Sequence, residues 1–485
     1  MDQDVPYRRR RHRRRQRRRS GEDYMSSLPD ELLHSILLRL GSVRAAASTS
    51  VLSRRWRHVW AHLPELAFVN NTGHDHDAPP LLDTVDAALA SYADPTLEAL
   101  VVVLSTAYAD GLGGAIVTAR RVGPWLRFAA ERVAGELVVS EPPAPPRMPP
   151  STYAPAVLEL PTCPRAKTIA LRLDTTWRLP PTQTAGVFPA LTSLTILMGA
   201  MAGGEVTSLV STRCPCLRNL RLCLVVVDDF DVSIRCSSLQ SLSLRLWRTR
   251  RLEVVAPSLK NLFVYNTIDE VCISAPKLAE VAWRGTAYYP YYRGDWLSFS
   301  FPRWRRVSLP KLAELALMAS AEKAAYESFL NETSKMPKCE MLTVSLAWNQ
   351  HGSAPVMFHI LKSCSSMKRV SVQLYDYRDY SSWHPCSLSC PCRSEESCET
   401  ADISLDSLEE VEITSHGSSR QELLEFVEQL SKCNATIFKK LVIHHTILYA
   451  RSRSKEVSEE IRRICYPKIE VEFYDFSSGK CMLFD

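Results

Sequence analysis

The sequence predicts an α/β fold in which short, similar units stack into a solenoid, with parallel strands along one side and a small all-helical module in front. Two observations carry this prediction. A frame of apolar residues recurs nine times between residues 188 and 413, and two helical segments lie close together between residues 27 and 66. A block of arginines at residues 8–19 predicts a tail outside the folded part.

The arginine block sets the charge of the whole chain. Residues 8–19 read RRRRHRRRQRRR and hold ten arginines, whereas the 485-residue chain has a formal net charge of +6, so the remainder carries −4. Such a block repels itself and buries no apolar surface, so we expect residues 1–22 to be disordered. The block fits nuclear import, an electrostatic contact with nucleic acid or a solvated tail, and we favour nuclear import.

The remaining composition is ordinary for a globular protein, with 46% apolar and 23% charged residues. No stretch reaches the ~18 apolar residues of a membrane span, and no apolar segment follows the N-terminal charges as it does in a secretory signal. We therefore expect no membrane partner and a location in the nucleus, the cytoplasm or both. The fifteen cysteines are then expected to be reduced thiols.

The first predicted helix occupies SLPDELLHSILLRL at residues 27–40. Ser27 and Asp30 have the spacing of a capping box, and Pro29 suits a first helical turn, whose amides have no helical partner. Apolar residues at helical spacing follow up to Gly41, which marks the C-terminus. These residues are Leu32, Leu33, Ile36, Leu37 and Leu40.

A second helical segment follows in VRAAASTSVLSRRWRHVWAHLPEL at residues 43–66. Its small residues permit close approach of helices, and Trp56 and Trp60 lie four apart on one helix face. Two or three helices within ~40 residues bury little surface on their own. Either the tryptophans form the core of a small bundle, or the unit completes its core on a partner, and the residues leave both alternatives open.

These two segments together resemble an F-box of the plant type. The resemblance rests on LPDEL at residues 28–32, VLSRRWRHVWAHLPEL at residues 51–66 and the apolar residues between them. It implies a three-helix module at residues 23–66 that binds a Skp-type adaptor and, through it, a cullin–RING ubiquitin ligase. By position, the resemblance assigns to adaptor contacts or their supports Leu28, Pro29, Leu32, Ile36, Leu37, Val51, Leu52, Ser53, Trp56 and Trp60.

The repeated frame is x-(P/S)-x-L-x-x-L-x-L, as in CPCLRNLRL at residue 214 and APSLKNLFV at residue 256. Its last part alternates apolar and polar residues, which predicts a strand with two side chains inward. One unit cannot bury its apolar face, but stacked units form a continuous core. The first apolar positions of the nine copies are Leu191, Leu217, Leu239, Leu259, Leu278, Leu312, Cys339, Met367 and Leu408.

We call the number of residues from the first apolar position of one copy to that of the next a step. Most steps lie in or near the range of about 20–29 residues that is typical of leucine-rich repeats. The region therefore resembles the irregular leucine-rich repeats of plant F-box proteins, and we assign the solenoid to residues 80–395. The asparagine usual later in a regular repeat is mostly missing, so we expect the helical backs of the coils to be irregular.

Two further segments resemble parts of plant F-box proteins. Residues 123–140, GPWLRFAAERVAGELVVS, are similar to the helix and strand that open the repeat region. Residues 405–443 are similar to an FBD-type module, which implies a strand, an amphipathic helix and another strand. We assign residues 396–485 to an FBD-like region that continues the repeats. The apolar face of its helix is predicted to comprise Leu423, Leu424, Phe426, Val427 and Leu430.

A target-binding patch is predicted on the concave side of the solenoid. In each strand, the residues between and after the two inward side chains should face this side. Arginine and aromatic side chains are typical binding anchors. We expect the patch to take an acidic or phosphorylated segment through bidentate arginine contacts, and a solvated strand surface is the alternative. The outward residues are Arg221, Ser243, Arg245, Trp247, Phe263, Tyr265 and Arg284.

No cofactor, metal or catalytic residue is predicted. An insertion holds His384, Cys386, Cys390, Cys392 and Cys398, but their spacing matches no regular zinc pattern, so loop cysteines are favoured. No cysteine lies in a motif that would activate it as a nucleophile. The cysteines that open repeat frames are predicted to fill the core, and these are Cys163, Cys214, Cys236 and Cys364.

The sequence therefore predicts a non-enzymatic substrate-recognition subunit of an SCF-type ubiquitin ligase. The F-box would bind the Skp-type adaptor, and the repeats would bind an unknown target protein for ubiquitination. The alternative is a leucine-rich-repeat interaction scaffold outside ubiquitination. Nucleic-acid binding is expected only through the arginine-rich tail, with a steep dependence on salt.

Overall fold

The structure of the chain is a computed structural model. The residues that the structure describes are 28–41, 43–51, 55–69, 81–104, 119–141, 157–180, 188–265, 268–284, 303–304, 312–319, 338–348, 353–363, 366–376, 403–416, 420–445, 451–475 and 482–483. The arginine block and the insertion with His384 and Cys386–Cys398 lie outside the described residues. Among the described residues, no helix is both long and apolar enough to cross a membrane, and no group of three or more potential metal ligands is gathered.

The helices are, in chain order, α1 (Asp30–Leu38), α2 (Val43–Ser48), α3 (Trp56–Val59), α4 (Leu81–Ser91), α5 (Ala119–Arg132), α6 (Gly203–Ser208), α7 (Ser353–Ser363), α8 (Arg420–Lys432) and α9 (Arg451–Cys465). Short 3-10 turns at Thr49–Val51 and Trp60–His62 extend the first group, and a π-helical turn at Leu209–Arg213 extends α6.

Helix α1 begins at Asp30, so Pro29 directly precedes the first helical turn and does not lie within it. Pro29 is the N-cap residue and makes no side-chain cap bond, while Ser27 of the predicted capping box lies outside the described residues. The Pro29 carbonyl instead accepts hydrogen bonds from the amides of Leu32 and Leu33, at 3.1 and 3.2 Å. Gly41 follows the helix with a φ of +69°, a conformation that favours glycine, so the predicted helix end is confirmed.

The strands of the main sheet are β1 (Glu65–Val69), β2 (Leu97–Val103), β3 (Val133–Ser140), β4 (Val157–Glu159), β5 (Thr168–Arg172), β6 (Thr176–Arg178), β7 (Ser193–Ala202), β8 (Asn219–Val227), β10 (Ser241–Trp247), β12 (Asn261–Tyr265), β14 (Glu280–Arg284), β16 (Leu312–Ala319), β17 (Cys339–Trp348), β18 (Arg369–Asp376), β19 (Glu410–His416), β20 (Lys440–His445), β21 (Glu470–Asp475) and β22 (Met482–Leu483). A second sheet contains β9 (Asp231–Arg235), β11 (Arg251–Val255), β13 (Glu270–Ser274) and β15 (Arg303–Trp304).

The main sheet is parallel from β1 to β21, with each coil of the solenoid adding a strand beside the previous one. The order runs β1, β2, β3, β5, β7, β8, β10, β12, β14 and onward to β21, and β22 pairs antiparallel at the end. Equivalent residues of successive repeats stand opposite one another, as Leu220 does with Leu242. The predicted parallel-stranded solenoid is therefore confirmed.

The same tight turn precedes the strands of the repeats. The first apolar residue of the frame closes this turn with its backbone amide. The amide of Leu259 donates to the carbonyl of Ala256 at 3.1 Å, and that of Leu278 donates to Ala275 at the same distance. The frame residues fill the core as predicted. Those at or below 1% exposure are Leu191, Leu217, Leu239, Leu259, Leu278, Cys339, Met367 and Leu408. For Leu312 the structure describes only the backbone.

The shortest repeats have strands on their backs, so the expectation of helical backs is wrong there. The steps of 22, 20 and 19 residues between Leu217, Leu239, Leu259 and Leu278 leave little room for a helix. The segments DVSIR and RLEVV alternate polar and apolar residues, and their apolar side chains are buried. Longer steps carry helices on the back, with α6 before β8 and α7 before β18.

The strands of the segment assigned to the FBD-like region lie in the same sheet. Strands β19, β20 and β21 pair parallel with one another, and β19 pairs with β18. Helix α8 packs its apolar face inward, with Phe426 1% exposed and its ring centroid 5.5 Å from that of Phe358. The predicted face is confirmed, since Leu423, Val427 and Leu430 are buried and Leu424 is partly buried.

The helical module and the solenoid share one core. The sheet begins at β1, before the predicted solenoid boundary at residue 80 and inside the segment that resembles the F-box. Leu33, Trp56 and Phe68 all belong to one cluster of buried residues that runs through the repeats. Backbone bonds join the two parts, because the amide of Ala93 donates to the carbonyl of Ala61 at 3.1 Å and that of Glu98 donates to Pro64 at 2.8 Å.

Candidate functional site

The helical module presents apolar side chains to solvent along one stripe of α1. Leu32 is 51% exposed, Leu40 is 44% exposed, and the half-buried Ile36 lies between them at a spacing of four residues. Val51, in the turn after α2, is 87% exposed. Large apolar side chains gathered at the surface are typical of a protein-binding site. We call Leu32, Ile36 and Leu40 the helical face.

Other residues that the resemblance assigns to the adaptor are distributed between surface and core. Leu28 is half-buried and Pro29 is exposed. Leu37 is 1% exposed and Trp56 is 2% exposed, so their side chains support the module from within, whereas Trp60 is half-buried. Leu52 and Ser53 lie outside the described residues. The adaptor role of all ten residues stays a prediction.

Small residues and a few polar contacts hold the helices together. Ala46 is 1% exposed, so α2 approaches its neighbours closely, as its small residues predict. The ring nitrogen Nε2 of His34 lies 3.1 Å from the carbonyl oxygen of Val59, which ties α1 to α3. Arg55 donates from Nε to the Asp30 carboxylate at 3.1 Å and pairs the start of α3 with the start of α1. The helical face is therefore built on a defined packing.

The concave face is formed by the side chains that alternate with the core residues of β5 to β14. Arg221 is exposed, and Ser243, Arg245, Phe263 and Tyr265 are half-buried between fully buried neighbours. Trp247 is half-buried in the same way. The predicted alternation is therefore confirmed, while the target-binding role of these residues stays a prediction. For Arg284 the structure describes only the backbone, which stands opposite Tyr265.

Register places the concave residues in two rows that cross the strands. In the first row Arg221 stands opposite Ser243, and Ser243 stands opposite Phe263. In the second row Cys223 stands opposite Arg245. The guanidinium carbon of Arg245 lies 5.0 Å from the ring centroid of Tyr265, within the range of a cation–π contact. This contact restrains the arginine at the surface.

Two concave residues escaped the sequence reasoning, namely Arg172 and Cys223. Arg172 ends β5, whose segment CPRAKTIAL at residues 163–171 fits the repeat frame with Ala166 in place of the first leucine. Ala166 is fully buried, so it is a frame residue. Cys163 is recognisable as the start of this copy, but alanine at its first apolar position kept the copy out of the nine aligned frames, and Arg172 was therefore not placed on the concave side. Cys223 follows the alternation of β8 as a half-buried thiol.

The C-terminal end of the concave side has a different character. His444 on β20 lies 2.7 Å from the Glu412 carboxylate, and its ring stacks on Tyr474 with centroids 5.2 Å apart. Lys440 pairs with Glu472 at 3.0 Å, and this hydrogen bond lowers the pKa of Glu472 and raises that of Lys440. Charges at this end are therefore paired within the chain.

The cysteines that open repeat frames are inert core groups. Cys163 and Cys214 are fully buried and Cys236 is 6% exposed, which confirms the predicted core position; Cys364 lies outside the described residues. Burial raises the pKa of Cys163 and of Cys214 to about 12, so both thiols stay protonated at neutral pH. A protonated thiol is a poor nucleophile.

The chain combines a small helical module with a parallel-stranded solenoid, and the two share one core. Comparison with protein families finds a match in each of these two parts. The F-box domain model matches residues 25–67. The model described as the LRR repeats of FBD-associated F-box protein At5g56370 matches residues 122–286. The chain carries both parts, which confirms the resemblance drawn from the sequence.

Relatives of the chain are F-box proteins of Arabidopsis thaliana. The putative FBD-associated F-box protein At5g50270 is 26% identical over 272 residues, which are 53% of this chain and 62% of that protein. The F-box/FBD/LRR-repeat protein At5g56420 is 35% identical over 122 residues, 25% of this chain and 26% of that protein. F-box/LRR-repeat protein 25 is 52% identical over 46 residues, 10% of this chain and 18% of that protein. The matched segments span less than two thirds of each relative.

Proposed function

We propose that the chain is a non-catalytic substrate receptor of an SCF-type cullin–RING ubiquitin ligase. In this proposal the F-box binds a Skp-type adaptor and, through it, the cullin, while the solenoid binds a target protein. The observation that carries the proposal is the helical face, whose apolar side chains are exposed within a segment that matches the F-box domain model. Burial of these side chains against an adaptor would supply the driving force for binding.

The arrangement of the two surfaces supports a receptor that acts by proximity. Because the helical module and the solenoid share one core, a target on the concave face is held at a fixed position relative to the adaptor. Tethering raises the effective concentration of the target near the ubiquitin-loaded enzyme without any catalytic group in this chain. Burial also raises the pKa of Cys433 and of Cys465 to about 11, so these thiols, like Cys163 and Cys214, remain protonated.

The test is capture of a plant Skp-type adaptor by the intact chain and by two matched variants. Leu32→Glu places a charge on the helical face. Leu38→Glu places the same charge on another side of α1, about 120° around the helix axis, at a leucine that is 37% exposed. We expect Leu32→Glu to reduce adaptor affinity at least tenfold and Leu38→Glu to leave it within a factor of about two. Thermal unfolding of each variant verifies that the chain is folded.

Failure of the folded intact chain to bind the adaptor would contradict the proposal. It would favour the alternative function, a leucine-rich-repeat scaffold outside ubiquitination, since such a scaffold requires no adaptor. An equal loss of binding in both variants would contradict the assignment of the helical face.

We also propose that the arginine block at residues 8–19 directs nuclear import, because ten arginines within twelve positions resemble a basic import signal. The comparison is between fluorescent fusions of the whole chain and of a chain that lacks residues 1–20. A lower nuclear signal is expected for the shortened fusion, and equal signals would contradict the proposal.

A further inference from the structure

Three arginines lie on the concave face on strands β5, β8 and β10, with β7 between β5 and β8. Arg221 lies two residues before Cys223 on β8, so both point to the same side. Cys223 stands opposite Arg245 on β10 and, on the other side, opposite Leu197 on β7. Leu197 in turn stands opposite Arg172 on β5. The register therefore places the three arginines around Cys223 on the same side of the sheet, with Arg172 two strands away.

The positive charges of all three arginines act on the pKa of the Cys223 thiol. Burial raises its pKa, while the positive charges of Arg245, Arg221 and Arg172 act in the opposite direction. All three guanidinium groups are therefore within electrostatic reach of one sulfur atom. The stacking of Arg245 over Tyr265 and the placement of Arg221 between Thr195 and Ser243 give the group a restrained, polar setting.

Among the residues that the structure describes, these three arginines form no ion pair with a carboxylate, in contrast to two arginines on the back of the solenoid. On the back of the solenoid, Arg235 pairs with Glu253 at 2.8 Å and Arg250 pairs with Asp231 at 3.0 Å. Arginine is charged at all physiological pH values, so like charges gathered without a counter-charge repel one another. An anion at this point would relieve the repulsion.

We propose that Arg172, Arg221 and Arg245 form an anion site on the concave face, centred on Cys223, that takes a phosphate group carried on a segment of the target protein. This inference rests on the proposed function, since it names the chemistry of the target. A phosphate monoester carries a charge of about −1.5 to −2 at pH 7 and three acceptor oxygens. Three guanidinium forks match that charge and those acceptors better than they match a single carboxylate.

The surroundings favour a phosphate on a polypeptide over free phosphate. Phe263 lies in the same row as Arg221, and Trp247 lies two residues beyond Arg245 on the same strand face. Both are half-buried, so each still offers part of its ring to a partner. Aromatic side chains beside an arginine cluster are suited to contacts with the residues that flank a phosphorylated side chain.

The experiment measures binding of a degenerate phosphoserine peptide library by the immobilised intact chain, with the same library in unphosphorylated form as the reference. Single variants Arg172→Gln, Arg221→Gln and Arg245→Gln are compared with Arg250→Gln, a matched change on the back of the solenoid. We expect each concave variant to lower retention of phosphopeptides at least fivefold, and Arg250→Gln to match the wild type. Inorganic phosphate should compete only at far higher concentration than the selected peptides.

A second readout uses the thiol itself and requires no peptide. The rate of alkylation of Cys223 by iodoacetamide, followed by mass spectrometry, should fall at least threefold in Arg221→Gln, because loss of the positive charge raises the pKa of the thiol. Arg250→Gln should leave the rate unchanged. An unchanged rate in Arg221→Gln would contradict the convergence of the guanidinium groups.

The outcomes separate this inference from the proposed function. If the chain binds the adaptor but retains both libraries equally, the phosphate site is wrong and the receptor proposal stands. Retention of phosphopeptides without adaptor binding would support the site and overturn the receptor proposal. Binding of inorganic phosphate alone, with no preference for phosphopeptides, would overturn the assignment to a polypeptide.

Discussion

The hydroxyl oxygen of Tyr92 lies 2.9 Å from the backbone carbonyl oxygen of Leu63 and 3.0 Å from that of Thr96. Leu63 ends the helical module, whereas Thr96 leads into β2 of the solenoid. A hydroxyl has one proton, so Tyr92 donates to one of these carbonyls at a time. This buried side chain, with 5% exposure, links the two parts of the chain at their junction.

Replacement of Tyr92 by phenylalanine should therefore destabilise the junction. The change removes the donor and leaves a buried carbonyl without its partner, which costs about 1–2 kcal/mol. Equilibrium unfolding in urea measures the loss. The matched control is Tyr466→Phe, at a tyrosine that is 82% exposed, and it should change the free energy of unfolding by less than about 0.5 kcal/mol. Equal stability of both variants would contradict the linkage.

The stability of the junction should also fall at alkaline pH. Burial, with a smaller contribution from Asp94, raises the pKa of Tyr92 to about 12, against the opposing charge of Arg132. Because the pKa in the folded chain exceeds the ordinary value of 10.0, the stabilisation is fully present below pH 10 and is lost as the pH rises toward 12. The difference in unfolding free energy between wild type and Tyr92→Phe should shrink over that range. A constant or growing difference would refute the argument.

The two tryptophans of the F-box should differ in their effect on stability. Trp56 is 2% exposed, so Trp56→Ala leaves a large cavity and should cost about 3–5 kcal/mol. Trp60 is half-buried and packs at the edge of the same core, so Trp60→Ala should cost clearly less. Thermal unfolding followed by circular dichroism compares them. A larger loss for Trp60→Ala would show that the burial assigned here is incorrect.

A glycine in the bulge of β7 should resist substitution. Gly199 has a φ of +84°, and a Cβ atom there would overlap the backbone carbonyl of Thr175. Gly199→Ala should therefore destabilise the chain by about 1–3 kcal/mol. Gly204, near the start of α6, has only a flexible carboxylate oxygen 3.8 Å from the position of a Cβ atom. Gly204→Ala should be neutral or slightly stabilising, and calorimetric melting of both variants distinguishes them.

The back sheet should be visible in hydrogen exchange. Strand β11 is flanked by β9 and β13, so amides of residues 251–255 donate within a sheet and should exchange slowly. Residues 228–230, which are exposed in the loop before β9, provide the reference. Mass spectrometry after pepsin digestion measures both segments. Fast exchange throughout residues 251–255 would contradict a regular back strand.

Much of the fold was predictable because its signals are local and repeated. Leu259 and its equivalents mark each turn, and the alternation after them determines which side chains enter the core. The backs of the coils were mispredicted because their form depends on the length of each step. Short steps favour strands such as β11, and the alternation of Leu252 and Val254 in this strand is visible in the sequence.

The candidate sites were predictable in part. Alternation along β8 and β10 placed Arg221 and Arg245 on the concave side, but the proximity of Arg172 depends on register across four strands, which a single frame does not reveal. On the F-box, helical spacing located an apolar stripe. The division between the exposed Leu32 and the buried Leu37 depends on packing against α2 and α3, which spacing alone does not determine.

Because the core is shared, the F-box also caps the N-terminal end of the solenoid. The first coil has no preceding coil to cover it, and α2 instead packs against β1, where Leu66 and Phe68 are buried. Repeat proteins require such terminal covers to remain soluble. A truncated chain without the F-box would therefore expose the first coil and lose stability. Because the two parts share one core, any partner that binds only the folded F-box would also raise the free energy of unfolding of the solenoid.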